Sequence, residues 1–336
     1  MARKLRFQYE GAIYHITVRG NGRRKIFFDE SDRDRLLWRL AESADTYDVR
    51  VYSYCLMDNH IHLLLETPRA NISRFMQSLL TGYTVYFNLR HRHSGHLFQG
   101  RYGAQLVNGD SYLLSLSRYI HLNPVHIKTV QDLDQKQQVQ YLRSYKWSSY
   151  RGYIDEKRAS ELIEYGPILG LLKCPKRARA REYRKFVERG LIHTDDEFSE
   201  LMQMKPRGIG SIEFRSWVDA EYRKLRENQG SKEDVSFRQE AHLRDVDGII
   251  RVVAESFSVS EDEMQLPLRR TMARPVAVQM LCKYAGLTQR DAGSRVGYQT
   301  GAAASLQIKR LRETSKNDNA LIGKTARIEK QIRKLD

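Results

Sequence analysis

The feature that most constrains the fold is a pair of apolar runs separated by a two-residue turn. Residues 49–57 (VRVYSYCLM) and 60–66 (HIHLLLE) are rich in aliphatic and aromatic side chains, and Asp58–Asn59 between them favours a turn. Two such runs predict a β-hairpin. Because side chains alternate along a strand, the isoleucine and leucines at positions 61, 63 and 65 are expected on the buried face of its sheet.

The hairpin belongs to a series of strands and helices that fills the first 125 residues. Alternating apolar and polar residues predict strands, and apolar residues repeating every three or four positions predict helices. The predicted elements are strand 14–19, helix 31–48, strands 49–57 and 60–66, helix 71–88, strand 97–107 and helix 110–123. This order is typical of an α+β fold with a ferredoxin-like antiparallel sheet and helices on one face.

The rest of the chain is expected to be all-α. A length of 336 residues suggests two or three domains. We predict one domain over residues 1–130, a helical accessory region over 131–235 that begins with a polar linker, and a C-terminal region over 236–336. In that last region Thr288 is placed to cap a helix and Gly297 to end it, which is the rhythm of a helix-turn-helix.

The charge of the chain favours a polyanionic partner. The sequence has 57 Lys and Arg residues against 41 Asp and Glu residues, a net charge of +16. Residues 266–336 alone hold 15 basic against 5 acidic residues. Nucleic acid is the favoured partner, because neutralising its phosphates releases counterions. A basic protein with no such partner is the simpler alternative.

Cysteine content and apolar patterning favour a cytoplasmic protein. Cys55, Cys174 and Cys282 are too few and too far apart for a disulfide framework or a cysteine zinc site, which fits a reducing compartment. No run approaches the ~20 apolar residues that a membrane span needs, and the N-terminus lacks the apolar segment of a secretory signal. We therefore expect a cytoplasmic protein with no membrane partner.

Two histidines on the second hairpin strand are candidate metal ligands. His60 and His62 lie two positions apart, so both imidazoles project from the same face. Two adjacent imidazoles can hold one divalent cation and leave positions open for phosphate oxygens. The alternative is a pair of surface histidines on a half-solvated strand, since so short a motif is not specific.

The predicted helix 110–123 carries a candidate nucleophile. Tyr112, Tyr119 and Asn123 share one of its faces, and Asn123 lies one turn after Tyr119. A phenol with a pKa of ~10 needs assistance to act as a nucleophile, and a nearby metal can supply it. Tyr112 is the rival nucleophile, and a tyrosine packed against the sheet is the non-catalytic alternative.

A second histidine cluster lies in a basic loop. His91, His93 and His96 (RHRHSGH) have a spacing that can bind zinc. The basic surroundings favour a solvated surface that contacts phosphates instead. Arg90 and Arg92 are therefore candidate DNA-binding residues.

Four stretches resemble a known family when taken together. They are YHITVRGNGRRKIF, YSYCLMDNHIHLLLE, GHLFQGRYGAQLV and SLSRYIHLNPV, within residues 9–127. In this order they are similar to the single-tyrosine HUH transposases, and most to the REP-associated tyrosine transposase branch. Two positions depart from the usual pattern. Asp58 precedes Asn59 where many relatives have proline, and His126 stands where arginine is common.

The resemblance implies an enzyme that nicks and rejoins single-stranded, hairpin-flanked DNA. It implies that Tyr119 attacks a DNA phosphate to give a 5′-phosphotyrosine bond. His60 and His62 match the metal-binding pair, and Asn123 matches a further polar ligand. The implied metal is Mg²⁺ or Mn²⁺, and relatives act as monomers or homodimers.

The C-terminal region carries a second resemblance. Residues 269–312 are similar in rhythm to the DNA-binding domain of the replication initiator DnaA, over ARPVAVQMLCKYAGLTQRDAGSRVGYQTGAAASLQIKRL. This similarity implies that the region contacts duplex DNA and that Lys309, Arg310 and Arg312 bind its phosphates. An ordinary helical bundle with a basic face is the alternative.

Two other functions compete with the transposase. One is a domesticated, non-catalytic regulator that binds DNA through the C-terminal region. The other is a replication initiator or relaxase of the wider HUH group. The His60, His62, Tyr119 and Asn123 set argues against the regulator, and the IHLNPV context favours the transposase branch.

Overall fold

The computed structural model consists of two compact units. It describes residues 7–192, 195–204, 206–227, 237–238, 244–266, 271–315 and 318–335. The first unit comprises residues 1–45 and 49–239, and the second comprises residues 46–48 and 240–336. The predicted boundary between residues 235 and 236 lies outside the described residues. The first unit therefore contains both the predicted sheet and the helices that follow it.

A five-stranded sheet forms the centre of the first unit. Its strands, in the order β3-β4-β2-β5-β6, are β2 (Ala12–Arg19), β3 (Arg50–Met57), β4 (His60–Thr67), β5 (Gly103–Val107) and β6 (Gly208–Ile209). β3 and β4 form the predicted hairpin, and the first four strands are antiparallel. β6 pairs in parallel with β5. The antiparallel prediction is therefore confirmed for four strands, and the fifth comes from the accessory region.

Both faces of the central strand β4 are buried. Leu63 is 1% exposed on one face, and Leu64 is fully buried on the other. The alternative in which His60 and His62 are surface histidines on a half-solvated strand therefore underestimates the burial of β4. A short second pairing joins β1 (Phe7–Gln8) to β7 (Phe237–Arg238).

The predicted strand 97–107 is too long. Only its C-terminal half is β5, because Gly100 has a φ of +137°, a conformation that extended L-residues do not adopt. The preceding residues are held at the end of β2 by a bridge between Gly20 and Phe98. The glycine therefore ends the ladder and turns the chain past the end of β2.

Three helices follow the predicted pattern closely. They are α1 (Glu30–Tyr47), α2 (Ile72–His91) and α3 (Asp110–Leu122), and Pro124 lies just beyond the end of α3. The accessory region supplies α4 (Lys128–Gln131), α5 (Gln135–Ser144), α6 (Tyr150–Ile154), α7 (Gly166–Leu169), α8 (Arg179–Arg189), α9 (Asp196–Gln203) and α10 (Ile212–Glu227).

The polar segment predicted as a linker over 131–140 is largely helical. Asp134 accepts a hydrogen bond from the Gln137 backbone N–H, and the Gln137 side chain accepts one from the Asp134 backbone. This reciprocal capping box starts α5. The prediction was wrong because it weighed polarity and overlooked an Asp-x-x-Gln capping pattern.

A buried polar network fixes α3 within the first unit. His121 is fully buried, with its Nδ1 2.8 Å from the Tyr183 hydroxyl and its Nε2 2.8 Å from Ser149 Oγ. The Tyr183 hydroxyl also donates to Ser117 Oγ at 2.9 Å. Ser149 Oγ in turn accepts from the Tyr54 backbone N–H in β3. The accessory helices thus set the position of α3 against the sheet.

The second unit is a helical bundle. Its helices are α11 (Val246–Phe257), α12 (Ala273–Tyr284), α13 (Gln289–Arg295), α14 (Gly301–Ser315) and α15 (Asn319–Ile332). Thr288 caps α13 as predicted, by accepting a hydrogen bond from the Asp291 backbone. Gly297, with a φ of +75°, follows that helix. Arg274 is buried and donates to the Val296 carbonyl at 2.7 Å, which ties α12 to the turn between α13 and α14.

The buried imidazole of His121 predicts a loss of stability at acidic pH. Burial lowers the pKa of His121 from 6.5 to about 3. Above pH 6.5 the ring is neutral in the folded and unfolded chains alike. Between pH 6.5 and 3 only the unfolded chain takes up the proton, so stability falls by ~1.4 kcal/mol per pH unit. The variant His121→Gln lacks this contribution.

We therefore expect the stability difference between wild type and His121→Gln to narrow by about 2 kcal/mol from pH 7 to pH 5. Urea unfolding followed by tryptophan fluorescence measures it, because Trp38, Trp147 and Trp217 all lie in the first unit. Equal pH slopes for the two proteins would contradict the assignment.

Candidate active site

Three histidines meet on one face of the sheet. Antiparallel pairing sets His62 opposite Thr17 and His60 opposite Arg19, so His15 lies two positions further along β2 on the same face. The ring planes of His15 and His62 are within 7° of parallel, with centroids 5.2 Å apart, and His15 Nε2 lies 2.9 Å from His62 Nδ1. The ring of His60 is 5.0 Å from that of His62. His62 is only 5% exposed, so it is not a surface histidine.

Tyr119 lies against this histidine pair. Its ring meets the rings of His15 and His62 edge-on, at centroid distances of 6.1 and 5.9 Å. α3 packs on β3 and β4, which carries Tyr119 over the histidine face. The rival nucleophile Tyr112 lies seven positions earlier, about 10 Å along the helix axis. Within the described part of the chain, the Tyr119 hydroxyl has no hydrogen-bond partner.

Asn123 connects the end of α3 to His60. Its Nδ2 donates to the Tyr119 carbonyl at 2.9 Å and to the Ile120 carbonyl at 3.4 Å. Its side chain also lies beside His60 and raises the pKa of that imidazole. Asn123 is 9% exposed, so the predicted ligand lies within the cluster and is held by the backbone of the helix that carries Tyr119.

Burial sets the protonation of the site. It lowers the pKa of His60 to about 4, with the charge of Arg19 adding to the shift and the neighbouring Asn123 side chain opposing it. Burial likewise holds the pKa of His62 well below its usual range. It raises the pKa of Tyr119, an effect that the charge of Arg19 opposes. At neutral pH the site therefore holds neutral imidazoles beside a protonated phenol.

A layer of amide side chains supports the histidines. His15 Nδ1 lies 2.9 Å from Gln105 Oε1, and Gln105 Nε2 donates to the Pro206 carbonyl at 2.8 Å. His60 Nδ1 lies 2.7 Å from Asn59 Oδ1, and Asn59 Nδ2 donates to the Arg23 carbonyl at 3.1 Å. His15 and the candidate ligand His60 are thus each anchored to the backbone through an amide side chain.

Sequence reasoning missed His15, Gln105 and Arg19. His15, Thr17 and Arg19 alternate along YHITVR and so share one face of β2, which is the signal that was available. His15 meets His60 and His62 because β2 pairs with β4. The sequence pattern did not specify this strand order.

Acidic side chains do not complete the cluster. Glu66 shares the face but is bound by Tyr52 and by Arg50, whose Nη1 is 3.3 Å away. Among the described residues, no group of three or more His, Cys, Asp and Glu side chains is arranged to hold a metal. A cation at this site would therefore be held by imidazoles and an amide.

The predicted DNA-contacting Arg90 is engaged within the protein. Its guanidinium donates to Asp29 and to Asp32, each at 2.7 Å. Asp32 is fully buried and also contacts His91 Nε2 at 2.9 Å. His93 instead contacts Asn88 at 3.0 Å, so the second histidine cluster is split between separate partners.

The other predicted DNA contacts are more accessible. Arg92 is exposed and adopts a left-handed conformation just after α2. In the second unit Lys309 and Arg310 are exposed on α14, whereas Arg312 is half-buried. Among the described residues, every helix is too short or too polar to cross a membrane.

The bonding of Arg90 predicts a structural effect that Arg92 does not share. Replacing Arg90 with glutamine leaves the buried Asp32 carboxylate with fewer donors. We expect Arg90→Gln to lower the unfolding midpoint by about 3–6 °C and Arg92→Gln to leave it within about 1 °C. Thermal unfolding of both variants tests this, and equal midpoints would show that the Asp32 contact does not stabilise the fold.

Comparison with known proteins points to the segment that holds the cluster. Residues 8–123 match the family described as transposase, IS200 like. Among solved structures, the chain is similar to a REP-associated tyrosine transposase bound to a REP hairpin, with 15% identity and a TM-score of 0.38 over 49% of this chain and 90% of that chain. No curated protein matches the chain. Residues 8–123, which carry His15, His60, His62 and Tyr119, thus match the IS200-like transposase family and support a transposase function.

Proposed function

We propose that the chain is a metal-dependent transposase of the HUH type that nicks and rejoins single-stranded, hairpin-flanked DNA through Tyr119. The observation that carries the proposal is the position of the Tyr119 ring, edge-on to two buried imidazoles at 5.9 and 6.1 Å. Its hydroxyl is not engaged by any described residue, which leaves it available to a substrate.

The donor set at the site fits a divalent cation. His60 and His62 are neutral because burial lowers both pKa values, and neutral imidazole is the form that binds metals. With the Asn123 amide they would hold Mn²⁺ or Mg²⁺ through two nitrogens and one oxygen. When bound, such a cation supplies Lewis-acid polarisation of the scissile phosphate. The small number of protein ligands leaves positions for phosphate oxygens.

The proposed reaction is a transesterification at phosphorus. The Tyr119 oxygen forms a bond to the phosphorus and releases its proton, and the bond from phosphorus to the 3′ oxygen breaks. The 3′ oxygen leaves with the electron pair and takes up a proton to become a hydroxyl. One phosphoester replaces another, so a new 3′-hydroxyl can reverse the step and join a different strand without an external energy source.

The surroundings of Tyr119 position it for this attack. Phe198 packs against its ring at 6.3 Å, and Asn123 holds the helix backbone at Tyr119. Arg19 is exposed at the end of β2, and its charge lowers the pKa values of the tyrosine and of His60. The positive charge of the Arg19 guanidinium favours the phenolate form of Tyr119 and the negative charge that builds on the phosphate.

Charge and exposure support DNA as the partner. Arg23, Arg24 and Lys25 are exposed in the segment that follows β2, and the Gly20 backbone N–H ties its start to the Asn59 carbonyl beside His60. These side chains are placed to contact the backbone of a single strand near the site. We propose that Lys309 and Arg310 on α14 contact duplex phosphates.

If Tyr119 is the nucleophile, the protein forms a covalent product with DNA that depends on the Tyr119 hydroxyl oxygen. We expect wild type with Mn²⁺ to carry 3′-labelled hairpin DNA into a denaturing gel as a shifted band, and to release 5′-labelled DNA as a shortened strand. Tyr119→Phe removes only the hydroxyl and should abolish both products. Tyr112→Phe, the same change two turns earlier, should leave them intact.

The same gel separates the proposal from its rivals. An adduct that survives in Tyr119→Phe and disappears in Tyr112→Phe would make Tyr112 the nucleophile. Binding of the DNA by wild type without any adduct, with or without Mn²⁺, would favour a non-catalytic DNA-binding regulator.

Arg19 predicts a loss of rate without a loss of fold. We expect Arg19→Gln to slow single-turnover adduct formation by about 10–100-fold at saturating DNA, because the charge opposite the developing anion is gone. Arg177→Gln, a matched change at an exposed arginine outside the proposed DNA contacts, should alter the rate by less than about threefold. Equal rates for the two variants would remove Arg19 from the reaction.

A further inference from the structure

The protonation pattern of the histidine cluster follows from one backbone carbonyl. The Pro206 carbonyl can only accept a hydrogen bond, so the Gln105 atom that lies 2.8 Å from it is the amide nitrogen. The Gln105 oxygen therefore faces His15 Nδ1 at 2.9 Å. An amide oxygen carries no proton and can only accept a hydrogen bond. The donor is therefore His15 Nδ1, and the single proton of the neutral His15 ring lies on that nitrogen.

The same reasoning passes from His15 to His62. With its proton on Nδ1, neutral His15 presents an unprotonated Nε2. That atom lies 2.9 Å from His62 Nδ1, and a contact of this length between two ring nitrogens requires one proton between them. The proton is then carried by His62 Nδ1, and His62 Nε2 is left with its lone pair.

We infer that His15 is a positioning residue that fixes His62 in the tautomer whose Nε2 can bind a metal. The inference rests on the proposed role of His62 as a metal ligand. In the opposite tautomer the proton would occupy Nε2 and block coordination. The two ring planes are within 7° of parallel and their centroids are 5.2 Å apart, so the rings lie side by side with the hydrogen bond close to the plane of each ring.

His60 follows the same principle through a shorter chain. The Arg23 carbonyl accepts from Asn59 Nδ2, so Asn59 Oδ1 accepts the proton of His60 Nδ1 at 2.7 Å. This too leaves Nε2 unprotonated. His60 and His62 thus both carry their proton on Nδ1. In each case the position of the proton is traced back to an amide side chain that donates to a backbone carbonyl.

The chain of bonds to His62 links the matched segment to the accessory region. Pro206 lies outside residues 8–123, just before β6, and β6 pairs with the strand that carries Gln105. The Leu106 backbone N–H also donates to the Arg207 carbonyl at 3.0 Å, so the Pro206 carbonyl is held in register with Gln105. A residue of the accessory region therefore sets the donor atom of a proposed metal ligand.

The first test reads the tautomers directly. The full chain is labelled with ¹⁵N-histidine, and long-range ¹H–¹⁵N spectra are recorded at pH 7.5 without metal. We expect His62 to show a protonated Nδ1 and an unprotonated Nε2 in wild type. His15→Leu removes the acceptor and should give His62 mixed tautomers. His15→Gln restores an amide oxygen near the former Nε2 position and should return the wild-type pattern.

The second test measures binding of Mn²⁺ alone by electron paramagnetic resonance. We expect His15→Leu to weaken Mn²⁺ binding by about 10–100-fold, the effect typical of losing a partner behind a metal-ligating histidine. His15→Gln should stay within about threefold of wild type. Gln105→Leu, which leaves both histidines in place and frees the His15 tautomer, should weaken binding in the same direction.

The outcomes separate this inference from the proposed function. A protonated His62 Nε2 in wild type, or unchanged His62 tautomers and Mn²⁺ affinity in both His15→Leu and Gln105→Leu, would overturn the role of His15. The expected tautomers in a wild-type protein that binds no Mn²⁺ would overturn the metal site and with it the inference. The expected tautomers and Mn²⁺ binding without a DNA adduct would sustain the inference and refute the proposed function.

Discussion

The contact between His15 and His62 is the interaction on which the candidate site depends. It joins the two central strands of the sheet through ring nitrogens 2.9 Å apart, in a place where both rings are almost fully buried. Burial lowers the pKa of both rings, and the neighbouring His15 adds to the shift of His62, so the site favours neutral imidazoles as well as a fixed orientation. Those two conditions are what a metal-ligating histidine needs.

The accessory region completes this arrangement. Tyr183 and Ser149 hold His121 on the helix that carries Tyr119, and Asp195 accepts from the neighbouring Arg118 at 2.6 Å. The ring of Phe198 then packs against Tyr119 itself. Ser149, Tyr183, Asp195 and Phe198 are therefore part of the structure that positions the proposed nucleophile, although they lie outside the segment that matches the transposase family.

The arginines of the first unit separate into two kinds. Arg90 pairs with Asp29 and the buried Asp32, where its charge stabilises the junction between α1 and α2. Arg19 is exposed, and its charge acts on His60 and Tyr119. A high net charge indicated nucleic acid, but only the bonding of each arginine shows which charges are available to it.

The sequence by itself determined the three long helices, the hairpin of β3 and β4, and the shared face of His60 and His62. These features follow from periodicity, because the spacing of side chains on a strand or helix is fixed by backbone geometry. It also placed Asn123 one turn after Tyr119, as the structure confirms. The joining of His15 to His62, the fifth strand and the Pro206 anchor came only from the tertiary structure. Strand order and long-range hydrogen bonds depend on how distant segments pack, and no local pattern in YHITVR or around Pro206 encodes that partner.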